Sequence, residues 1–79
     1  MKLEHLDKHR QIGLKISYYR KLRGLTQEQL AERIGLSPAF IGHIEAPNIN
    51  KAVSMDTLFD IAIALEVPTH CFLSFDENL

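Results

Sequence analysis

Residues 26–45 read TQEQLAERIGLSPAFIGHIE, and the order of caps, breakers and apolar positions in this stretch decides the fold. Thr26 with Gln29 three residues on is a reciprocal capping arrangement, in which each side chain satisfies the other's backbone amide and starts a helix. Leu30, Ala31 and Ile34 recur at helical spacing, and Gly35 ends that helix after about two turns. Ser37 before Pro38 starts a second helix, with a hydroxyl at the cap and a proline at the first helical position, where its missing N–H costs nothing. This helix stops near Glu45, because Ala46 precedes Pro47 and a residue before proline is pushed out of the helical region. Ile41 and Ile44 fall on its inner face. Two helices of about eight residues are unstable alone, so neighbouring helices must bury their apolar faces.

Working outward, Ile12, Ile16 and Tyr19 lie at spacings of four and three on one face of a helix from about Asp7 to Arg23, with Gly24 after its end. Downstream, NINKAV (48–53) reads as a loop. Ser54 caps a further helix with Asp56 in its first turn, where a carboxylate suits the helix dipole, and Leu58, Ile61, Ala62 and Leu65 form its buried stripe. After Val67 and Pro68 a short fifth helix is expected to return Phe72 and Leu73 to the core. No segment alternates like a strand, and there are no repeats or linkers. The expected fold is all-α, a compact five-helix bundle around a helix–turn–helix. It forms one domain over 9–75, with 1–8 as an N-terminal extension or the start of helix 1 and 76–79 as a frayed tail.

Composition bounds the function. At 79 residues, 46% apolar and 24% charged, the chain suits one soluble core and excludes a two-domain enzyme. The lone Cys71 makes no internal disulfide and suits a reducing compartment. No apolar run nears the roughly 18 residues that span a bilayer, and the N-terminus lacks a signal-peptide pattern; the expected location is cytoplasmic. A net charge of −1 hides an asymmetry: residues 1–53 carry nine Lys/Arg against five acids, and 54–79 carry five acids and no Lys or Arg. A binding face responds to the local field rather than the sum. Catalytic chemistry is missing from the pattern. His5 and His9 share a helical face without further ligands to complete a metal site, the adjacent His70 and Cys71 diverge by about 100° on a helix, and the glycines are scattered. No enzyme activity, metal, cofactor, membrane association or small-molecule substrate is expected.

The stretch IGLKISYYRKLRGLTQEQLAERIGLSPAFIGHIE (12–45), followed by MDTLFDIAIALEVPTHCFL (55–73), resembles the DNA-binding domain of the Cro and phage-repressor helix–turn–helix family, the XRE family. The resemblance spans about residues 9–75 and implies a lambda-repressor-like domain with double-stranded DNA as partner. It places Gln27 at a phosphate, although a solvated first-turn residue is the plain alternative. It places Ser37, Pro38, Ala39, Phe40, Gly42 and His43 on the groove-facing side of the recognition helix, with Ile41 and Ile44 inward. Pro38 and Ala39 stand where relatives often carry glutamine or arginine, and they offer thymine methyls contact rather than bidentate hydrogen bonds. His43 has three readings, a base edge, a phosphate or simple exposure. Phe40 also has two, DNA or the edge of the core. Gly42 reads as a close approach to DNA or as a packing accommodation.

The resemblance further implies an ion pair between Arg20 and Glu45, with phosphate contact by Arg20 as the alternative, and phosphate contacts from Asn50 and Lys51 in a loop about two residues longer than the common form. Amides at Ser54 and Met55 could meet another phosphate. Lys15, Lys21 and Arg23 read as a solvated face, with support of DNA association as the alternative. The function implied is a sequence-specific transcriptional regulator, acting as a homodimer on a palindromic operator. Residues near Phe72, Phe75 and Leu79 and the fourth and fifth helices are candidates for the dimer contact. The alternative is an antitoxin or adaptor that uses the same fold against a protein.

Overall fold

A computed structural model describes residues 2–75, and every described element is helical. A 3-10 turn at Leu3–His5 leads into α1 (Leu6–Leu22); α2 (Gln27–Ile34), α3 (Pro38–Glu45) and α4 (Met55–Leu65) follow, and a second 3-10 turn covers Thr69–Phe72. The caps act as the sequence implies. Thr26 Oγ1 accepts from the Gln29 amide and Gln29 Oε1 from the Thr26 amide, Gly35 ends α2 at φ 70°, and the Ser37 and Ser54 hydroxyls accept from the amides of Phe40 and Thr57.

The expected fifth helix is only a 3-10 turn, closed by bonds from Cys71 N to Pro68 O and from Leu73 N to His70 O. One tight turn after Pro68 suffices to drop Phe72 into the core, where it is fully buried. Leu73, expected beside it, faces outward. Phe72 is therefore unavailable to a dimer contact. Phe75 is half-buried under the Lys15 ammonium, and Leu79 and the tail 76–79 lie outside the described residues.

Ile16, Leu30, Ile41, Leu58, Ile61, Leu65 and Phe72 are the large, fully buried side chains. They come from α1, α2, α3, α4 and the last 3-10 turn, so no helix has a core of its own. Tyr19 extends this cluster by meeting Phe72 edge to face, with centroids 5.4 Å apart. Burial, reinforced by the Cys71 thiol beside it, raises the Tyr19 pKa above the ordinary tyrosine value.

Two features of the packing are not visible in the apolar pattern. At Gly13, α1 crosses the end of α3 so closely that a Cβ there would lie 1.9 Å from the Ile44 carbonyl oxygen. The obstacle is backbone, which cannot rotate aside. The second feature is the end of α4, which has no basic residue in its own last turn. Its carbonyls are met from outside: Arg23 donates to Leu65 O (2.8 Å) and Glu66 O (3.1 Å), and Arg33 to Ala64 O (3.4 Å). Cations at that position complement the negative end of the helix dipole. Arg23 therefore clamps α4 instead of forming a solvated face, and Lys15 likewise bonds the Ser74 carbonyl.

Replacing Gly13 with Ala forces α1 and α3 apart. Gly13→Ala should destabilise the fold by about 2 kcal/mol or more, read as a fall in melting temperature. Glu66 caps α4 in the left-handed region at φ 55°, a conformation that strains a residue with a Cβ. Glu66→Gly should raise stability by about 1 kcal/mol, or roughly 4–8 °C in a domain of this size; an unchanged or lower melting temperature would show that the strain is absent.

Candidate nucleic-acid interface

Helix α3 is held by one side and bare on the other. Ile41, Ile44 and Glu45 are buried, while Pro38, Ala39 and His43 are exposed and Phe40 and Gly42 are intermediate. The Ser37 cap and Pro38 fix the start of the helix, and Pro38 and Ala39 of its first turn are exposed.

The far end of α3 is fixed by charge. Arg20 of α1 and Glu45, 7% and 8% exposed, form a two-pronged pair, from Nε to Oε2 at 2.7 Å and from a terminal guanidinium nitrogen to Oε1 at 2.8 Å. The remaining terminal nitrogen donates to Leu25 O at 2.7 Å. A planar guanidinium matches a carboxylate in this geometry as a lysine cannot. Hydrogen bonding to Glu45 raises the Arg20 pKa above its ordinary value, against the opposing effect of burial. Because the pKa is raised, any stability from this ionisation would be lost only as pH climbs through the arginine range, so the cation persists at all ordinary pH. The ion-pair reading of Arg20 is the one realised here.

Gln27 does not extend freely into solvent. Its amide donates to Glu45 Oε1 at 3.1 Å, joining the start of α2 to the pair. Gly42 lies against it: a Cβ there would sit 3.4 Å from Gln27 Oε1. This contact gives Gly42 a packing reason independent of DNA. Ser17, Lys21 and Ala46 complete a shallow groove with Arg20, Gln27, Gly42 and Glu45.

On the other flank, the Lys51 ammonium lies 5.4 Å from the centroid of the Phe40 ring, a cation–π contact that ties the loop to α3. Phe40 thus both packs against the core and supports Lys51. The loop is anchored to α1 by Arg10, whose Nε donates to Pro47 O at 2.9 Å. Asn50 is exposed beside this anchor. The Ser54 hydroxyl caps α4 and also bonds Thr57 Oγ1 at 3.0 Å, so its oxygen is already engaged in the fold.

The arrangement thus gathers Gln27, Gly42 and Glu45 on one flank of α3 and Phe40 and Lys51 on the other, with Pro38, Ala39 and His43 between them. Arg10 and Gly13 carry supporting roles that the sequence reading passed over. Gly13 did leave a signal, since a glycine inside a helical run costs roughly 1 kcal/mol relative to alanine and calls for a packing reason.

Two short helices joined by a glycine turn, the second with one buried and one open face, define a helix–turn–helix protein. A helix–turn–helix family model matches residues 16–70, and the chain belongs to the XRE-type family of DNA-binding transcription regulators. No curated protein matches its sequence significantly. Among solved structures, it is similar to SinR, a master regulator for biofilm formation crystallised in complex with DNA, at 32% identity and TM-score 0.73 over 80% of this chain and 98% of that one. The restriction-modification controller protein C.AhdI from Aeromonas hydrophila is similar at 26% identity and TM-score 0.78, over 86% of this chain and 96% of that one. The clp gene regulator ClgR from C. glutamicum is similar at 26% identity and TM-score 0.77, over 84% and 82%.

Glu45→Met strands the buried guanidinium and Arg20→Met the buried carboxylate, and each should cost about 3–5 kcal/mol. The double replacement Arg20→Met with Glu45→Met removes both charges and should cost less than either single change. Chemical denaturation of the four proteins checks this; a double mutant as unstable as the two singles combined would mean that the pair is not the linkage described.

Proposed function

We propose that this chain is a sequence-specific regulator that binds duplex DNA by laying α3 in the major groove, as a homodimer on a palindromic operator. The observation that carries the reading is the one-sided burial of α3. Ile41, Ile44 and Glu45 anchor it while Pro38, Ala39 and His43 remain exposed at its outward surface. Pro38 and Ala39 suit thymine methyl groups, and His43 suits a guanine edge or a phosphate. SinR, a similar protein, was crystallised with DNA.

Phosphate contacts flank this surface. Lys51, steadied by Phe40, is placed for one strand, with Asn50 beside it. The groove that contains Lys21 and Gln27 is placed for another contact, with Gln27 retaining its bond to Glu45 and offering its helix-start amide. The amides at Ser54 and Met55 give a third. A single module reads few base pairs, so two copies reading half-sites about one turn apart supply the specificity.

Binding to a random duplex should weaken steeply with salt, and Lys51→Ala should reduce the slope of log affinity against log salt by about 1. Selection from a random duplex library should then return a palindrome. Absence of duplex binding at low salt would overturn the reading in favour of a protein-binding adaptor.

A further inference from the structure

The chain has four arginines, and three of them turn terminal guanidinium nitrogens onto the fold. Arg20 engages Nε and both terminal nitrogens with Glu45 and Leu25. Arg23 engages Nε and one terminal nitrogen at the end of α4, and Arg33 engages a terminal nitrogen there, beside Asp60 and Glu66. Arg10 differs. Its Nε donates to Pro47 O at 2.9 Å, while among the described residues its two terminal nitrogens have no hydrogen-bond or carboxylate partner, and the residue is exposed. Asp7, three residues before it on α1, accepts instead from Gln11 at 2.8 Å. A guanidinium tethered at Nε keeps its terminal N–H groups as a preformed fork, which matches two oxygens of a phosphate.

The surroundings of this fork are cationic and well fixed. Arg10, His9, Asn50 and Lys51 line one shallow depression, whose wall includes Ile44 and Ala46 at the end of α3 and no acidic residue. Helix α1 is set here by Gly13, four residues after His9, which lies against the Ile44 carbonyl. The loop is set by its own turns, from Ile49 N to Ala46 O at 3.2 Å and from Lys51 N to Ile49 O at 3.1 Å, and the Lys51 ammonium by the ring of Phe40. Two cations at one depression without a carboxylate make a local positive field that favours a shared anion.

We infer that Arg10 is a ligand of the DNA backbone: its terminal nitrogens, with Lys51 and Asn50, take one phosphate at the junction of α1 and the loop while its Nε keeps hold of Pro47. The inference rests on the duplex-binding reading above and extends that footprint from α3 and its loop to the start of α1. Arg10 then binds directly as well as anchoring the loop. The two parts separate experimentally, because only neutralisation of a phosphate releases counterions.

Fluorescence anisotropy of the full chain on its selected duplex across a salt series tests this, with circular dichroism to verify folding. Arg10→Gln keeps an amide that can donate to Pro47 O and loses the charged fork. It should weaken binding at low salt by about tenfold and lower the slope of log affinity against log salt by about 1 per bound protomer. Arg10→Lys retains a charge for the phosphate and should retain the slope. A methylphosphonate, which removes the charge of a single phosphate, is then moved along each strand of the duplex. One position should weaken the wild type at least about fivefold more than it weakens Arg10→Gln. An arginine that only anchors the loop would leave the slope of Arg10→Gln unchanged and every methylphosphonate equally costly to both proteins, and that result overturns the inference. If Lys51→Ala flattens the slope and Arg10→Gln does not, the duplex-binding reading stands and the Arg10 assignment falls. A wild type that binds no duplex at low salt overturns the reading itself, and the assignment with it.

Discussion

The structure depends on one buried ion pair. Arg20 and Glu45 join the last turn of α1 to the last residue of α3, and the same guanidinium reaches Leu25 O in the turn before α2. Gln27 adds the start of α2 to the cluster. Four pieces of chain that share only a small apolar core are thereby fixed around one carboxylate. A buried pair of this sort is poor evidence of net stability, since desolvation offsets most of the attraction. Its contribution here is geometric: it holds the C-terminal end of α3 against α1 and therefore fixes how α3 presents its outer side.

The close crossing at Gly13 works with that pair. With no Cβ in the way, α1 lies directly on the Ile44 carbonyl, one residue before Glu45. Together the contact and the ion pair hold α3 against α1 from within the protein. The arginines show a similar economy of placement. Arg10, Arg20, Arg23 and Arg33 are all directed to groups of the fold, which leaves Lys21 and Lys51 as the cations next to α3. A chain with a net charge of −1 thus concentrates little cationic charge on its proposed DNA face, and recognition must lean on the shape and contacts of α3.

The helices were legible in the sequence because their signals are local. Thr26 with Gln29, Ser37 with Pro38, and Ser54 each mark a helix start within one turn of the event. The inward assignment of Ile41 and Ile44 was legible for the same reason, since helical periodicity alone decides it. The 3-10 character of Thr69–Phe72 was not, because a four-residue turn and the first turn of an α-helix share the same cues. Nor were the roles of Arg10 and Arg23, whose carbonyl partners lie 37 and 42 residues away. At the candidate site, residue types suggested which side chains face outward, but the bond from Gln27 to Glu45 and the placing of Lys51 over Phe40 are long-range and required coordinates.

On the proposed function, the exposed side of α3, held by the Arg20–Glu45 pair, meets DNA. The most direct measurement is amide chemical-shift mapping of the labelled protein as its selected duplex is added. The largest changes are expected at Gln27, Ser37–His43, Asn50–Lys51 and Ser54–Met55, while the amides of Phe59–Ile63 move little. Changes concentrated on the outer faces of α1 or α4, with Ala39 and His43 unmoved, would contradict it.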